Sequence, residues 1–208
     1  MRKKYKRLLV IIFILIIIVL GVIVVKKVTT KKVKNDVKVV DSIDNFSYTL
    51  DERDTALMKS TYNELKKVLK EKNIDKEKYA SLIAQLFVID LFTMDNKINK
   101  YDVACLEYVY PDSLDNFKMN VEDTLYKELK DNTFGKREQV LPIVREVNVN
   151  DVKSSTYKIN DVDNESYVVS LSWSYEKDLG YDNKANITLV SLDDKLYVVE
   201  YEVGVSDE

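Results

Sequence analysis

Asp90 sits in an otherwise apolar run, Leu86-Phe87-Val88-Ile89-Asp90-Leu91-Phe92. Burial disfavours the charged form of a carboxyl group, so an aspartate in such surroundings can acquire the raised pKa of a general base. A structural reading competes and is preferred. In it, Asp90 accepts hydrogen bonds from a tyrosine, from Thr93 or from nearby backbone, because no second catalytic residue type accompanies it. A further oxygen-rich stretch, Asp95-Asn96-Lys97-Ile98-Asn99-Lys100-Tyr101-Asp102, places ligand atoms at alternate positions, loosely like a calcium loop. It lacks the glycine at the sixth position and the bidentate glutamate at the twelfth that such a loop needs, and reads as a solvated turn. Asp161–Glu165 and Asp178–Asn183 are similarly oxygen-rich and read as hairpin connections.

The residue inventory narrows the chemistry further. The 208 residues include one cysteine, Cys105, and no histidine. Serine–histidine triads, cysteine–histidine dyads, Cys/His zinc sites and intrachain disulfides are therefore excluded, and no metal or cofactor is expected. Cys105 reads as a small buried apolar residue. The fourteen tyrosines could form a stacking platform for sugars. However, Tyr62, Tyr79, Tyr167 and Tyr175 fall on core-facing positions, where they fill volume while their hydroxyls reach the surface. Trp173 shares that stripe.

The elements that must carry these residues change period along the chain. Asp51–Asp54 offer a cap for a helix running to about Lys72, with Met58, Tyr62, Leu65 and Leu69 on one face. Asp75 caps a second helix, residues 75–94, whose second half is apolar nearly all round and is expected to be the most buried element. Residues 96–110 form a connection without clear period. Pro111-Asp112-Ser113 starts a third helix with the stripe Leu114, Phe117, Val121, Leu125 and Leu129, ended by Thr133–Arg137. After Pro142 the period becomes two. Val147, Val149 and Val152 begin a strand that Ser154–Ile159 either continues past a bulge or follows as another. The cleanest strand pattern is Tyr167, Val169, Leu171, Trp173 and Tyr175. Ala185, Ile187 and Leu189 line the next strand, and Asp193-Asp194-Lys195 turns into Leu196–Val203. Three helices followed by about four antiparallel strands is an α+β plan, with the helices packed on one face of a curved sheet.

Ahead of this domain lies an uninterrupted apolar run of 18 residues, Leu8–Val25. As a helix it spans roughly 27 Å, close to the hydrocarbon thickness of a bilayer. Cleaved signals have shorter apolar cores and end at small residues, whereas this run exits through β-branched residues and Lys26-Lys27. It therefore reads as a membrane anchor. Of the 32 Lys/Arg, seven lie in residues 1–27 with no acid among them, which leaves 25 against 35 acidic residues in the remainder, a balance of −10. An acidic body argues against nucleic acid as a partner. The basic flanks, Arg2, Lys3, Lys4, Lys6 and Arg7 on one side and Lys26 to Lys34 on the other, suit lipid headgroups. The tight N-terminal cluster favours an N-terminus inside. The expected organisation is a basic cytoplasmic N-terminus (1–7), a transmembrane anchor (8–25), a juxtamembrane linker (26–49), an extracytoplasmic α+β domain (50–203) and a tail (204–208).

A membrane span, about three helices and a late antiparallel sheet resemble the nuclear transport factor 2-like cone. They are similar in particular to single-pass scaffold proteins of bacterial conjugation and type IV secretion channels. Residues 86–129 also resemble membrane-anchored proteins of Gram-positive bacteria, in which small glycines take the places of Ala104-Cys105. The resemblance implies a cell-membrane protein that acts as a protein-interaction or scaffold module of an envelope complex, through protein partners or self-association. The alternatives are an envelope ligand-binding or sensor domain with a pocket between the second helix and the sheet, or an acid–base enzyme using Asp90.

Overall fold

In a computed structural model, residues 37–204 of the chain are described. The anchor expected over residues 8–25 lies outside them. Among the described residues, no helix is long and apolar enough to cross a membrane.

The chain enters through a hairpin of β1 (Val39–Ile43) and β2 (Tyr48–Asp51). Tyr48 is fully buried and Leu50 nearly so. Residues 39–48, expected within a linker, therefore belong to the folded unit. The strands are only five and four residues long, too short for alternation to register in the sequence. Helix α1 (Ala56–Val68) follows, capped by the Thr55 hydroxyl, which accepts the Met58 N–H at 3.2 Å. The acidic residues before it form a turn instead of the cap. The Asp51 carboxylate accepts the Arg53 N–H, and the Asp54 carboxylate accepts the Asp51 N–H, each at 2.6 Å.

Helix α2 (Lys76–Phe92) is capped by Asp75, whose carboxylate accepts the Lys78 N–H at 3.0 Å. Beyond its exposed first turn, Lys76–Lys78, it is buried almost all round, as its apolar second half implies, packing against α1 and lying across the sheet. Helix α3 (Leu114–Asp123), entered through a 3-10 turn at Pro111–Ser113, is shorter than its apolar stripe suggests. The backbone leaves helical geometry at Thr124, which turns Tyr126 inward. The fully buried Tyr126 hydroxyl donates to the Leu91 carbonyl at 2.8 Å, near the end of α2. Leu125 and Leu129 still reach the core from the irregular turn that replaces the last helical residues.

Four strands complete the domain in a simple antiparallel meander: β3 (Val144–Ile159), β4 (Val162–Tyr175), β5 (Lys184–Leu192) and β6 (Lys195–Val203). β3 is one long strand, with bulges between Val144 and Glu146 and between Val149 and Asp151. The alternation in Tyr167, Val169, Leu171 and Trp173 is the buried face of β4. The β3–β4 connection is only Asn160-Asp161, so Val162–Glu165 is strand and not loop. Asn160 and Asp161 (φ 48° and 63°) and Asp193 and Asp194 (φ 49° and 64°) have positive φ, the signature of tight two-residue hairpin turns.

Aromatic rings fill the space between α2 and the sheet. Phe92 packs on Trp173 with ring centres 5.0 Å apart, and Tyr201 lies 5.8 Å from Phe87 and 6.2 Å from Phe92. The pocket expected between the second helix and the sheet is thus occupied by side chains. The hydroxyls of Tyr48, Tyr62 and Tyr79 find partners inside instead of reaching water. Tyr48 bonds to the Tyr79 hydroxyl at 2.7 Å and donates to the Leu196 carbonyl at 3.0 Å, while Tyr62 donates to the Tyr48 carbonyl at 3.2 Å.

Candidate functional site: a charged cavity at the end of α2

Asp90 lies in the last turn of α2, where the helix stops at Thr93 and the chain folds back along it. Its carboxylate is held from two directions. The Lys97 ammonium donates to one oxygen and the Cys105 backbone N–H to the other, both at 2.6 Å. Cys105 adopts a left-handed backbone, φ 56°, an uncommon conformation for a residue with a Cβ, as the chain passes Asp90. Of the partners expected for Asp90, backbone supplies one, the Cys105 N–H, while Lys97 stands in place of a tyrosine or Thr93. Tyr126 serves the Leu91 carbonyl, and the Thr93 hydroxyl accepts the Val144 N–H at 3.3 Å.

The solvated turn expected over Asp95–Asp102 instead folds inward. Lys97 is only 5% exposed, which is unusual for a lysine and accounted for by its pairing with Asp90. Asp102 anchors the far end of the loop. It accepts two bonds from the Arg53 guanidinium, at 2.6 and 3.3 Å, and the Ile98 N–H at 2.9 Å. Burial works to raise the Asp102 pKa, but Arg53 and the Ile98 N–H outweigh it and hold the carboxyl below its ordinary value.

These groups line a cavity of about 300 Å³ between the β2–α1 turn, the end of α2 and residues 102–107. Two of its carboxylates are less well compensated. Burial pushes Asp54 up to about 6, with the Asp51 N–H opposing the shift and the charge of Asp51 adding to it. Burial also raises Glu107, against the bonds it accepts from the Thr49 N–H at 3.0 Å and the Thr49 hydroxyl at 2.6 Å. Cys105 forms part of the wall, and burial lifts its thiol well above the ordinary range, which disfavours the reactive thiolate. Among the described residues, no three acidic or cysteine side chains are placed to hold a metal ion.

Asp90 was the residue legible from sequence; Arg53, Asp54, Lys97 and Glu107 were not. Asp51–Asp54 resemble an ordinary helix entry, and a lysine in a polar loop carries no mark of burial. The nearest available sign was Glu107, a lone acid inside the otherwise uncharged stretch Val103–Tyr110. Comparison of the chain with protein-family models, curated proteins and solved structures gives no match.

Proposed function

We propose that the chain is a single-pass membrane protein whose extracytoplasmic domain works as a protein-interaction or scaffold module of an envelope complex, and not as a catalyst. The observation that carries this reading is the filled interior. Phe87, Phe92, Trp173 and Tyr201 occupy the space where a cone of this kind would enclose a reaction chamber. The likeness in element order to the nuclear transport factor 2-like scaffolds of conjugation and type IV secretion is supported by three helices preceding a four-stranded antiparallel meander. Asp90 supports the same reading, since a strong hydrogen bond already engages each of its oxygens. In this reading residues 8–25 are the anchor, and the tight basic cluster Arg2–Arg7 favours an outer position for the domain.

The test is a pull-down of the tagged full-length chain from detergent-solubilised membranes, after cross-linking in intact cells. The expected result is a reproducible envelope partner or a discrete homo-oligomer. Recovery of the monomer alone overturns the reading.

A second reading, ligand sensing, is favoured by one feature. The charged cavity is accompanied by a buried polar atom without a partner, Arg53 Nε, of the kind that a bound polar molecule would satisfy.

A further inference from the structure

Phe134 is 86% exposed, the most exposed large apolar side chain among the described residues, and Tyr101 is 64% exposed. They stand on two loops fastened together. The Asn132 N–H donates to the Ile98 carbonyl at 2.7 Å, and the Asn99 amide donates to Asp131 at 3.4 Å. Arg137 acts as a staple across the same loops, donating to the carbonyls of Lys97 at 2.8 Å, Asp95 at 2.6 Å and Lys130 at 3.3 Å. The turn that carries Phe134 is equally constrained. The Gly135 N–H closes onto the Asn132 carbonyl at 2.9 Å, with Gly135 at φ 65°, and the Thr133 N–H is held by Asp131 at 2.8 Å. An apolar ring is therefore held out into water by a well-bonded support, so its position does not come from a floppy loop.

Lys127, Lys130 and Lys136, all exposed, lie near Phe134 in sequence, interleaved with the exposed Glu128 and Asp131, and Lys100 lies over the Tyr101 ring at 5.1 Å. Aromatic rings flanked by lysines are the side-chain set that partitions into the boundary between lipid headgroups and acyl chains. There the ring enters and the ammonium groups stay with the phosphates. The remaining consideration is distance. Only 13 residues, 26–38, separate the apolar span from β1. Their reach at full extension is about 45 Å, so a domain tethered this way meets the bilayer at high effective concentration, where even a weak contact is populated.

From these observations we infer that the Phe134–Tyr101 tip docks into the phospholipid interface and fixes the orientation of the domain on the membrane. The inference rests on residues 8–25 being the anchor, and the experiment separates the two. The full-length chain carries a nitroxide at Thr133→Cys, with the buried Cys105 left in place, and is reconstituted into phosphatidylcholine–phosphatidylglycerol vesicles. Flotation reads the anchor. The collision of the nitroxide with oxygen, which concentrates in lipid, and with a water-soluble nickel chelate reads the tip. The expected result is a floating chain whose label has lost most of its nickel accessibility relative to the same label at Asp194→Cys, and regains it when Phe134→Ser is added. A floating chain with a nickel-accessible label at 133 overturns docking and leaves the anchor standing. A label shielded from both reagents means burial against protein and overturns docking as well. A chain that does not float overturns the anchor and the inference with it.

Discussion

Lys97 illustrates how much depends on a single buried charge. Its ammonium and Asp90 neutralise each other at 2.6 Å with little exposure of either side chain. Removing one partner leaves the other buried and unpaired, the costly half of a broken ion pair. Lys97→Met is therefore expected to destabilise the domain by about 2–4 kcal/mol, read as a lower urea midpoint. Asp90→Asn, which keeps an acceptor for the Cys105 N–H, should cost less than Asp90→Ala. Asp54 makes an opposite contribution. Its folded pKa, pushed up to about 6, exceeds its ordinary value of 3.8, so the folded state holds a proton that the unfolded state has released. The resulting stabilisation is full below the ordinary value and is lost as pH rises through about 6. Glu107, also raised, adds with the same sign. Urea midpoints should accordingly fall between pH 5 and pH 7, and Asp54→Asn should flatten that slope; an unchanged slope would rule Asp54 out as its source. At this scale the sequence pointed to Asp90 because a carboxylate among Leu, Val and Phe stands out. Its partners lie 7 and 15 residues away, and only the fold-back of the chain brings them together.

Elements were more legible than residues where one period persisted. The almost wholly apolar second half of α2 and the alternation of β4 translate directly into burial. The end of α3 did not, because Leu125 and Leu129 continue the helical stripe although the backbone has left the helix at Thr124. What decides that boundary is the Tyr126 hydroxyl reaching the Leu91 carbonyl, a tertiary bond with no local trace. The early hairpin was hidden for a different reason: its strands are four and five residues long, too short for alternation to register. The tight turns offer a quantitative check. Asp194 sits at φ 64° between two long paired strands. Asp194→Gly should be neutral or stabilise by up to about 1 kcal/mol, because glycine takes this conformation without strain. Asp194→Val should lose about 1–2 kcal/mol, since a β-branched side chain resists the left-handed region. Thermal unfolding of the two variants side by side reads the difference, and equal midpoints would contradict the turn geometry.

At the scale of the molecule, the α+β plan was readable because three helices precede the four-stranded sheet and the change of period falls after Pro142. The location of the charged cavity was not. It arises where three segments distant in sequence converge: the β2–α1 turn, the last turn of α2 and residues 102–107. One consequence of that convergence concerns mechanics. The loop that carries Lys97 into the cavity wall is the same loop whose carbonyls at Asp95 and Lys97 are gripped by Arg137 beneath the exposed Phe134 turn. The Lys97–Asp90 pair at one end of this region and the Phe134 turn at the other are thus tied to the same short piece of backbone, held by a single guanidinium.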